Sequence, residues 1–206
     1  MSSAGNDSAV RRIVKTATKI EPHELTATLL SFLFVFVLMT AYFILRPVRD
    51  ALSSDWTDEQ LSWLWTSTFI FSLIAVSIYG AVISRVRFRI LVPSVCSFFA
   101  ATFIGFYVAG STLGDIDLVN RAYYVWLSVF SLYHLSVFWT FMSGLYNKDQ
   151  AKRLFSIIAM GASAGAIVGP SIPTFFADNI GTLNLLLIAA FLLMIPIPLI
   201  WKLEQL

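Results

Sequence analysis

Six long stretches without a charged side chain constrain the fold of this 206-residue chain more than any other feature. They cover residues 25–45, 60–84, 90–114, 122–147, 154–177 and 179–201. A helix rises about 1.5 Å per residue and the hydrocarbon core of a bilayer is about 30 Å thick, so roughly 20 residues can cross it. None of the stretches shows the alternation that is typical of a membrane β-strand. The sequence therefore predicts an all-α membrane protein with six transmembrane helices.

The composition excludes a water-soluble domain and several kinds of site. Hydrophobic residues make up 58% of the chain and charged residues 13%, whereas soluble domains carry about a quarter charged residues. The single cysteine, Cys96, offers neither an internal disulfide nor paired thiolate ligands. No P-loop or metalloprotease motif is present. We therefore expect no metal, no organic cofactor and no nucleic-acid partner, and we expect membrane lipids around the chain.

The positions of lysine and arginine predict the orientation in the membrane. If the N-terminus is cytoplasmic, 11 of the 14 basic residues fall in cytoplasmic segments. Only Arg46, Arg49 and Arg121 then lie on the outer side. Because positive charge concentrates in cytoplasmic loops, this pattern predicts a multi-pass protein of the inner (plasma) membrane with both termini in the cytoplasm.

The same pattern divides the chain into three parts. Residues 1–24 form a basic cytoplasmic tail, 25–202 the six-helix bundle and 203–206 a cytoplasmic end. The tail is either an interfacial helix or a disordered segment. Helices are predicted over residues 25–46, 58–84, 90–110, 122–146, 153–177 and 181–201. Thr57 and Gln60 predict a capping box at the start of the second helix.

Arg46 and Arg49 are the most informative charges, because they lie at the outer end of the first helix, against the overall bias. Guanidinium groups bind phosphate through paired hydrogen bonds, so the two side chains could form an anion site at the mouth of a pathway. Alternatively, both reach towards lipid headgroups, with Asp50 balancing Arg46 one turn away. The residues alone leave both interpretations open.

Three further residues are candidates for substrate binding. His134 lies near the middle of the fourth stretch, where an ionisable group either has a function or is a neutral histidine bonded to a neighbouring helix or to Ser131. Tyr133 in the fourth helix and Thr68 in the second belong to polar stripes. Such stripes either line a wet pathway or hold helices together.

The fifth helix carries Gly161, Gly165 and Gly169 at four-residue spacing, followed by Pro170. Small residues at this spacing make a flat face on which another helix can pack closely, and a proline permits a bend. The pattern predicts a packing seam, which is either static or part of a moving transporter.

The segment from Gly161 to Gly165 also fits the G-x-S-x-G pattern of serine hydrolases, with Ser163 as nucleophile and His134 as its base. That pattern usually needs a strained turn, whereas here it lies inside an uninterrupted helical stretch. An intramembrane hydrolase is therefore disfavoured, and we expect no enzyme and no catalytic residue.

Three strings resemble a known family. They are YFILRPVRD at residues 42–50, FWTFM at 138–142 and QAKRLF at 150–155. Together they resemble bacterial members of the ATP/ADP translocase-like nucleotide transporters, a branch of the major facilitator superfamily. The resemblance runs from about residue 25 to residue 202 and covers all six predicted helices.

The resemblance implies a secondary transporter that works by alternating access, without covalent chemistry. Arg49 matches a basic residue that the nucleotide exchangers use for their charged substrate. The loop after the second helix is similar to a superfamily gating signature through Gly80, Arg85 and Arg89, and Gly165 to Pro170 is similar to the core of an exchanger signature. The expected substrate is a small organic anion, with nucleotide exchange as one candidate activity.

The chain also departs from the family pattern. Ser84 and Arg87 replace an aspartate and a glycine of the loop signature, Ile172 and Pro173 replace a glycine pair, and residues 122–147 contain no carboxylate. The family has about twelve helices in two halves, so this chain resembles the N-terminal half. The other half is then a missing C-terminal segment, which we favour, or another copy. A membrane scaffold without transport activity is the alternative function.

Overall fold

The computed structural model describes residues 20, 21, 23–83, 85–113 and 116–205. Within these residues the chain forms seven α-helices and no β-strand. In chain order they are α1 (Leu25–Leu52), α2 (Asp58–Ile83), α3 (Phe88–Thr112), α4 (Ile116–Leu145), α5 (Lys148–Ile180), α6 (Asn184–Met194) and α7 (Pro196–Leu203). Most of the basic tail, and with it the predicted interfacial helix, lies outside the described residues.

Six helical segments are long and apolar enough to cross a membrane: α1 to α5, and α6 together with α7. The prediction of a multi-pass, all-α protein with six apolar helices is confirmed at this level. Short connections make consecutive membrane crossings antiparallel. We call the end of the bundle at which α1 begins the Glu24 end, and the end at which α1 finishes the Arg49 end.

Several helices extend beyond the predicted bounds. Helix α1 continues past residue 46 to Leu52, α4 begins at Ile116 rather than at residue 122, and α5 begins at Lys148 rather than at residue 153. The added turns contain charged residues. Backbone hydrogen bonding continues where side chains become polar, so a charge-free stretch marks only the apolar part of a helix.

The sixth crossing is divided, although the sequence pattern predicts one helix over residues 181–201. Helix α6 ends at Met194 and α7 begins at Pro196. Proline has no backbone N–H to donate, so the ladder is interrupted. The N–H of Ile195 donates to the carbonyl oxygen of Leu192 at 3.1 Å, which tightens the last turn of α6.

Residues at and beside the helix termini define where several helices begin or end. The N–H of Thr57 donates to Oε1 of Gln60 at 3.0 Å and the N–H of Gln60 donates to Oγ1 of Thr57 at 3.3 Å, so the predicted capping box is confirmed. A second capping box joins Asn147 and Gln150 at the start of α5. Gly181 follows the last residue of α5, and its φ of +86° lies in the region that favours glycine.

Helix α1 is the centre of the bundle and packs against α4, α5, α6 and α7. Its buried face meets a core of aromatic side chains from α3 and α4. Helix α2 has a different position, because it packs mainly against α4 and buries only Leu64 and Ala75. The bundle therefore consists of a tight group around α1 and one peripheral helix.

Candidate functional site

Arg49 lies in the last turn of α1, with 18% of its side chain exposed. Its Nε and Nη2 donate to Oδ1 of Asp50 at 3.0 and 2.8 Å, and its Nη1 donates to Oγ of Ser128 at 3.4 Å. The guanidinium carbon lies 5.1 Å from the centre of the Tyr124 ring, within the range of a cation–π contact. The guanidinium is thus held between α1 and α4 by a carboxylate, a hydroxyl and a ring.

Arg46 lies beside this group but is more open to its surroundings. Its side chain is 49% exposed, and its Nε is 3.8 Å from Oδ2 of Asp50. Asp50 therefore balances Arg46 across one turn, as one of the two interpretations expects, but it binds Arg49 more closely. Two guanidinium groups and one carboxylate give this group of three side chains a net charge of +1.

His134 is buried in the interface between α1 and α4, with 5% of the residue exposed. Its ring stacks on Tyr42, with 4.7 Å between ring centres, and on Phe130, with 5.1 Å. Nδ1 lies 3.0 Å from the carbonyl oxygen of Phe130. Because a carbonyl only accepts, Nδ1 carries the proton and Nε2 carries the lone pair.

Nε2 of His134 has no hydrogen-bond partner within the described part of the chain. Ser131, one of its expected partners, donates instead to the carbonyl oxygen of Ser128 at 2.6 Å. A buried polar atom without a partner costs about 1–3 kcal/mol. This nitrogen is therefore a position at which a proton donor would be bound favourably.

Tyr133 does not join the arginines but connects α4 to α2. Its hydroxyl donates to the carbonyl oxygen of Ala75 at 2.6 Å. Its ring makes an edge contact with Tyr79, whose hydroxyl lies 3.0 Å from Oγ1 of Thr140. For these residues the polar stripes hold helices together. The hydroxyl oxygen of Thr68 is buried and has no partner among the described residues.

The glycines of α5 pack directly on the backbone of α1. A β-carbon at any of the three would lie 2.5 Å from an atom of α1: Phe32 O at Gly161, Phe36 O at Gly165 and Phe43 Cβ at Gly169. The predicted seam therefore exists, and its partner is α1. Helix α5 continues through Pro170 to Ile180.

The other gating candidates lie at the end of α2, in the loop that follows it and at the start of α3. A β-carbon at Gly80 would meet no atom within 4 Å, so close packing does not require this glycine. Nε of Arg89 lies 3.5 Å from Oε2 of Glu204, which links the start of α3 to the end of α7. Arg85 is exposed, and Ser84 lies outside the described residues.

The sequence analysis did not single out Glu24, the residue before α1, which is 4% exposed. Its Oε1 accepts from Nη2 of Arg153 at 2.9 Å and from Nε2 of Gln150 at 3.1 Å. Its Oε2 accepts from Nη1 of Arg153 and from the N–H of Glu21, both at 3.2 Å. We call Glu24, Gln150 and Arg153 the Glu24 cluster. The two parallel bonds from arginine are the strong, directional form of this pairing.

The Glu24 cluster keeps its carboxylate ionised. Burial alone would raise the pKa of Glu24, but the N–H of Glu21, the amide of Gln150 and the guanidinium of Arg153 outweigh it and lower the pKa of Glu24 below its ordinary value. The ligand atoms of Glu21, His23 and Glu24 lie within 4.8 Å of one another. Because the oxygens of Glu24 already bind Arg153, this group is an ion-pair site rather than a metal centre.

Ser163 and His134 do not form the hydrogen bond that a nucleophile and its base require. Ser163 is exposed on α5, while the glycines on either side of it face α1. Nδ1 of His134 is bonded within its own helix, and Nε2 has no partner in the described ranges. The geometry gives the hydrolase pattern no support.

Comparisons with protein-family models, with curated proteins and with solved structures find no match to this chain. The likeness to nucleotide transporters therefore rests on the sequence strings, and a function is proposed from the residues and their geometry.

Proposed function

We propose that the chain is one half of a secondary transporter that moves a small organic anion by alternating access, with nucleotide exchange as a candidate activity. The observation that carries the proposal is the environment of Arg49. A guanidinium at the end of α1 contacts α4 through Ser128 and Tyr124, and the group formed by Arg46, Arg49 and Asp50 has a net charge of +1.

The bonding of Arg49 leaves capacity for a substrate. A guanidinium has five N–H donors, and the described residues engage three of them, through Nε, Nη1 and Nη2. The bond to Ser128 is long at 3.4 Å. A phosphate or carboxylate can take the remaining donors and compete for this bond, since charge-assisted bonds are stronger than bonds to a hydroxyl.

Two further observations support a moving bundle. The backbones of α1 and α5 meet along three turns, so this pair acts as a rigid unit. His134, with its unpaired Nε2, lies along the same α1–α4 interface as Arg49. In this proposal Arg49 binds the anion, His134 offers a second polar contact, and the bundle rocks against a second six-helix half.

Transport measurements with the complete assembly test the proposal. The chain is expressed alone and together with a candidate second six-helix half, and its oligomeric state is determined before reconstitution into vesicles. We expect labelled nucleotides or other organic anions to exchange across the membrane. If a folded assembly exchanges none of them, the chain is a scaffold, and the proposal is wrong.

A further inference from the structure

A groove with a volume of about 580 Å³ lies between α2, α3 and α4. This volume is within the range of about 300–1,000 Å³ that is typical of ligand sites. Its walls include Ile74, Ile78, Val95, Phe98, Trp126 and Tyr133. Apart from Ser94, the indole N–H of Trp126 and the hydroxyls of two tyrosines, the side chains that line it are hydrocarbon or aromatic. The groove therefore fits a hydrocarbon chain better than a polar solute.

The peripheral position of α2 creates the groove. Polar contacts hold α2 to α4 at Ala75 and at Tyr79, and the α2 side chains beside these contacts remain open. Ile74 and Ile78 are 51% and 54% exposed, and Phe98 on the α3 wall is 54% exposed. In a membrane-spanning bundle these side chains face the surrounding bilayer, so a lipid can enter the groove from the side.

Positive charge lies at the Glu24 end of the groove. Val86 and Ile90 line it, and they are neighbours in sequence of Arg85, Arg87 and Arg89. Arg89 is paired with Glu204. Arg85 and Arg87 are exposed, and neither has an ion-pair partner among residues 20, 21, 23–83, 85–113 and 116–205. Two exposed arginines thus flank Val86, the loop residue that lines this end of the groove.

We propose that this groove binds one anionic phospholipid, with an acyl chain along α2 and α3 and the headgroup phosphate on Arg85 and Arg87. Arginine pairs with phosphate through two parallel hydrogen bonds. An anionic headgroup adds a net charge that a zwitterionic headgroup lacks, so the arginines select between lipids whose acyl chains are identical. The site is separate from Arg49 and does not depend on transport.

Competition between two lipids tests the headgroup part of the proposal. The protein is placed in nanodiscs of phosphatidylglycerol and phosphatidylcholine with identical acyl chains, and retained lipid is counted by native mass spectrometry. We expect one retained phosphatidylglycerol. The double variant Arg85→Gln/Arg87→Gln should weaken its retention by about tenfold or more, to the level of phosphatidylcholine. The matched control is Lys148→Gln/Lys152→Gln, which removes two charges at the same end and should retain the lipid.

A substitution that fills the groove tests whether the acyl chain binds there. The same substitution tests the proposal if the double arginine variant does not fold. Ser94 is an exposed residue of the groove wall, so Ser94→Trp should fill the space and abolish retention while keeping both arginines. Ile167→Trp, on a face of α5 where Ile167 is 72% exposed, should have no effect. Equal retention of both lipids, unchanged retention in Ser94→Trp, or a second protein copy seated on the groove would overturn the proposal.

Discussion

Nη2 of Arg153 lies 2.9 Å from Oε1 of Glu24, although 129 residues separate them in the chain. The pair joins the start of α1 to the first turns of α5. Gln150 strengthens this junction, because its Oε1 accepts from the N–H of Asn147 and its Nε2 donates to Glu24. One side chain thus caps a helix and bonds it to another helix.

Glu24→Gln should lower the melting temperature of the detergent-solubilised protein at neutral pH, because Arg153 loses its charged partner. The pKa of Glu24 is lower in the folded state than in the unfolded state. The ionised carboxylate therefore stabilises the fold fully above the unfolded-state pKa of about 4.3, and this stabilisation is lost as the pH falls through the folded-state pKa. Thermal unfolding measured from pH 7 to pH 3 should therefore show a weaker pH dependence in the variant.

The control for Glu24 is Asp149→Asn. The side chain of Asp149 is 90% exposed and lies 3.8 Å from Lys152, so its removal should change the melting temperature little. Equal losses in both variants at neutral pH would contradict a special role of Glu24.

Gly165→Leu should destabilise the bundle by about 1–3 kcal/mol or more, because its side chain would meet the backbone of α1 at Phe36. Gly165→Ala should already show part of the loss. Gly80→Leu is the matched control, since a β-carbon at Gly80 has no neighbour within 4 Å. Thermal unfolding should be measured for the three variants. Equal melting temperatures of Gly165→Leu and Gly80→Leu would show that α1 and α5 are not closely packed at Gly165.

His134→Phe should leave stability nearly unchanged, since phenylalanine keeps the stacking on Tyr42 and removes the unpaired Nε2. Under the transport proposal, the same variant should lose exchange activity. His134→Ala, which leaves a cavity, should instead destabilise by about 3 kcal/mol. Full exchange activity in His134→Phe would assign this residue to packing alone.

Arg49→Gln should lower the affinity for the transported anion by about ten- to a hundredfold, the effect of losing one charge-assisted bond. Arg49→Lys should recover part of this loss, because lysine keeps the charge without the fork geometry. Arg121 provides the control, since its Nη2 binds Asp117 at 2.8 Å in its own helix. Exchange measured at equal expression should therefore be little changed in Arg121→Gln, and small, equal effects at both positions would make Arg49 a headgroup anchor.

The orientation can be measured with single cysteines, because the native Cys96 is only 4% exposed. A cysteine at Leu113 should react with impermeant reagents from outside the cell, and one at Arg87 only after the membrane is opened. The opposite pattern of labelling would reverse the predicted orientation.

Charge-free stretches predicted the six apolar segments because crossing a bilayer imposes a minimum length of apolar helix. They did not predict the division at Ile195, although Pro196 and Pro198 are visible in the sequence. A stretch judged by charge alone ignores the missing N–H groups of proline. The capping box at Thr57 was predictable because it depends only on residues three apart.

Contacts between helices could not be predicted in the same way. The spacing of Gly161, Gly165 and Gly169 predicted a close contact, but not that α1 is the partner, since a flat face accepts any helix. The sequence analysis placed Glu24 in the basic tail, because the sequence does not show which residues of other helices lie next to it. The sequence does contain a carboxylate directly before the first apolar stretch, and Gln150 and Arg153 directly before the fifth. These residues indicate an ion pair only when α1 and α5 are known to be adjacent.

The seam between α1 and α5 also has a consequence for biogenesis. Helix α1 enters the membrane before α5, and the glycines of α5 that cover it emerge from the ribosome only after roughly 130 more residues, on the order of ten seconds later. During this interval, lipids or the insertion machinery must shield Thr28, Ser31 and Thr40, which are buried in the finished bundle. The face of α1 that meets α5 is thus enclosed late, and a nascent chain that stops before α5 would leave that face without its protein neighbour.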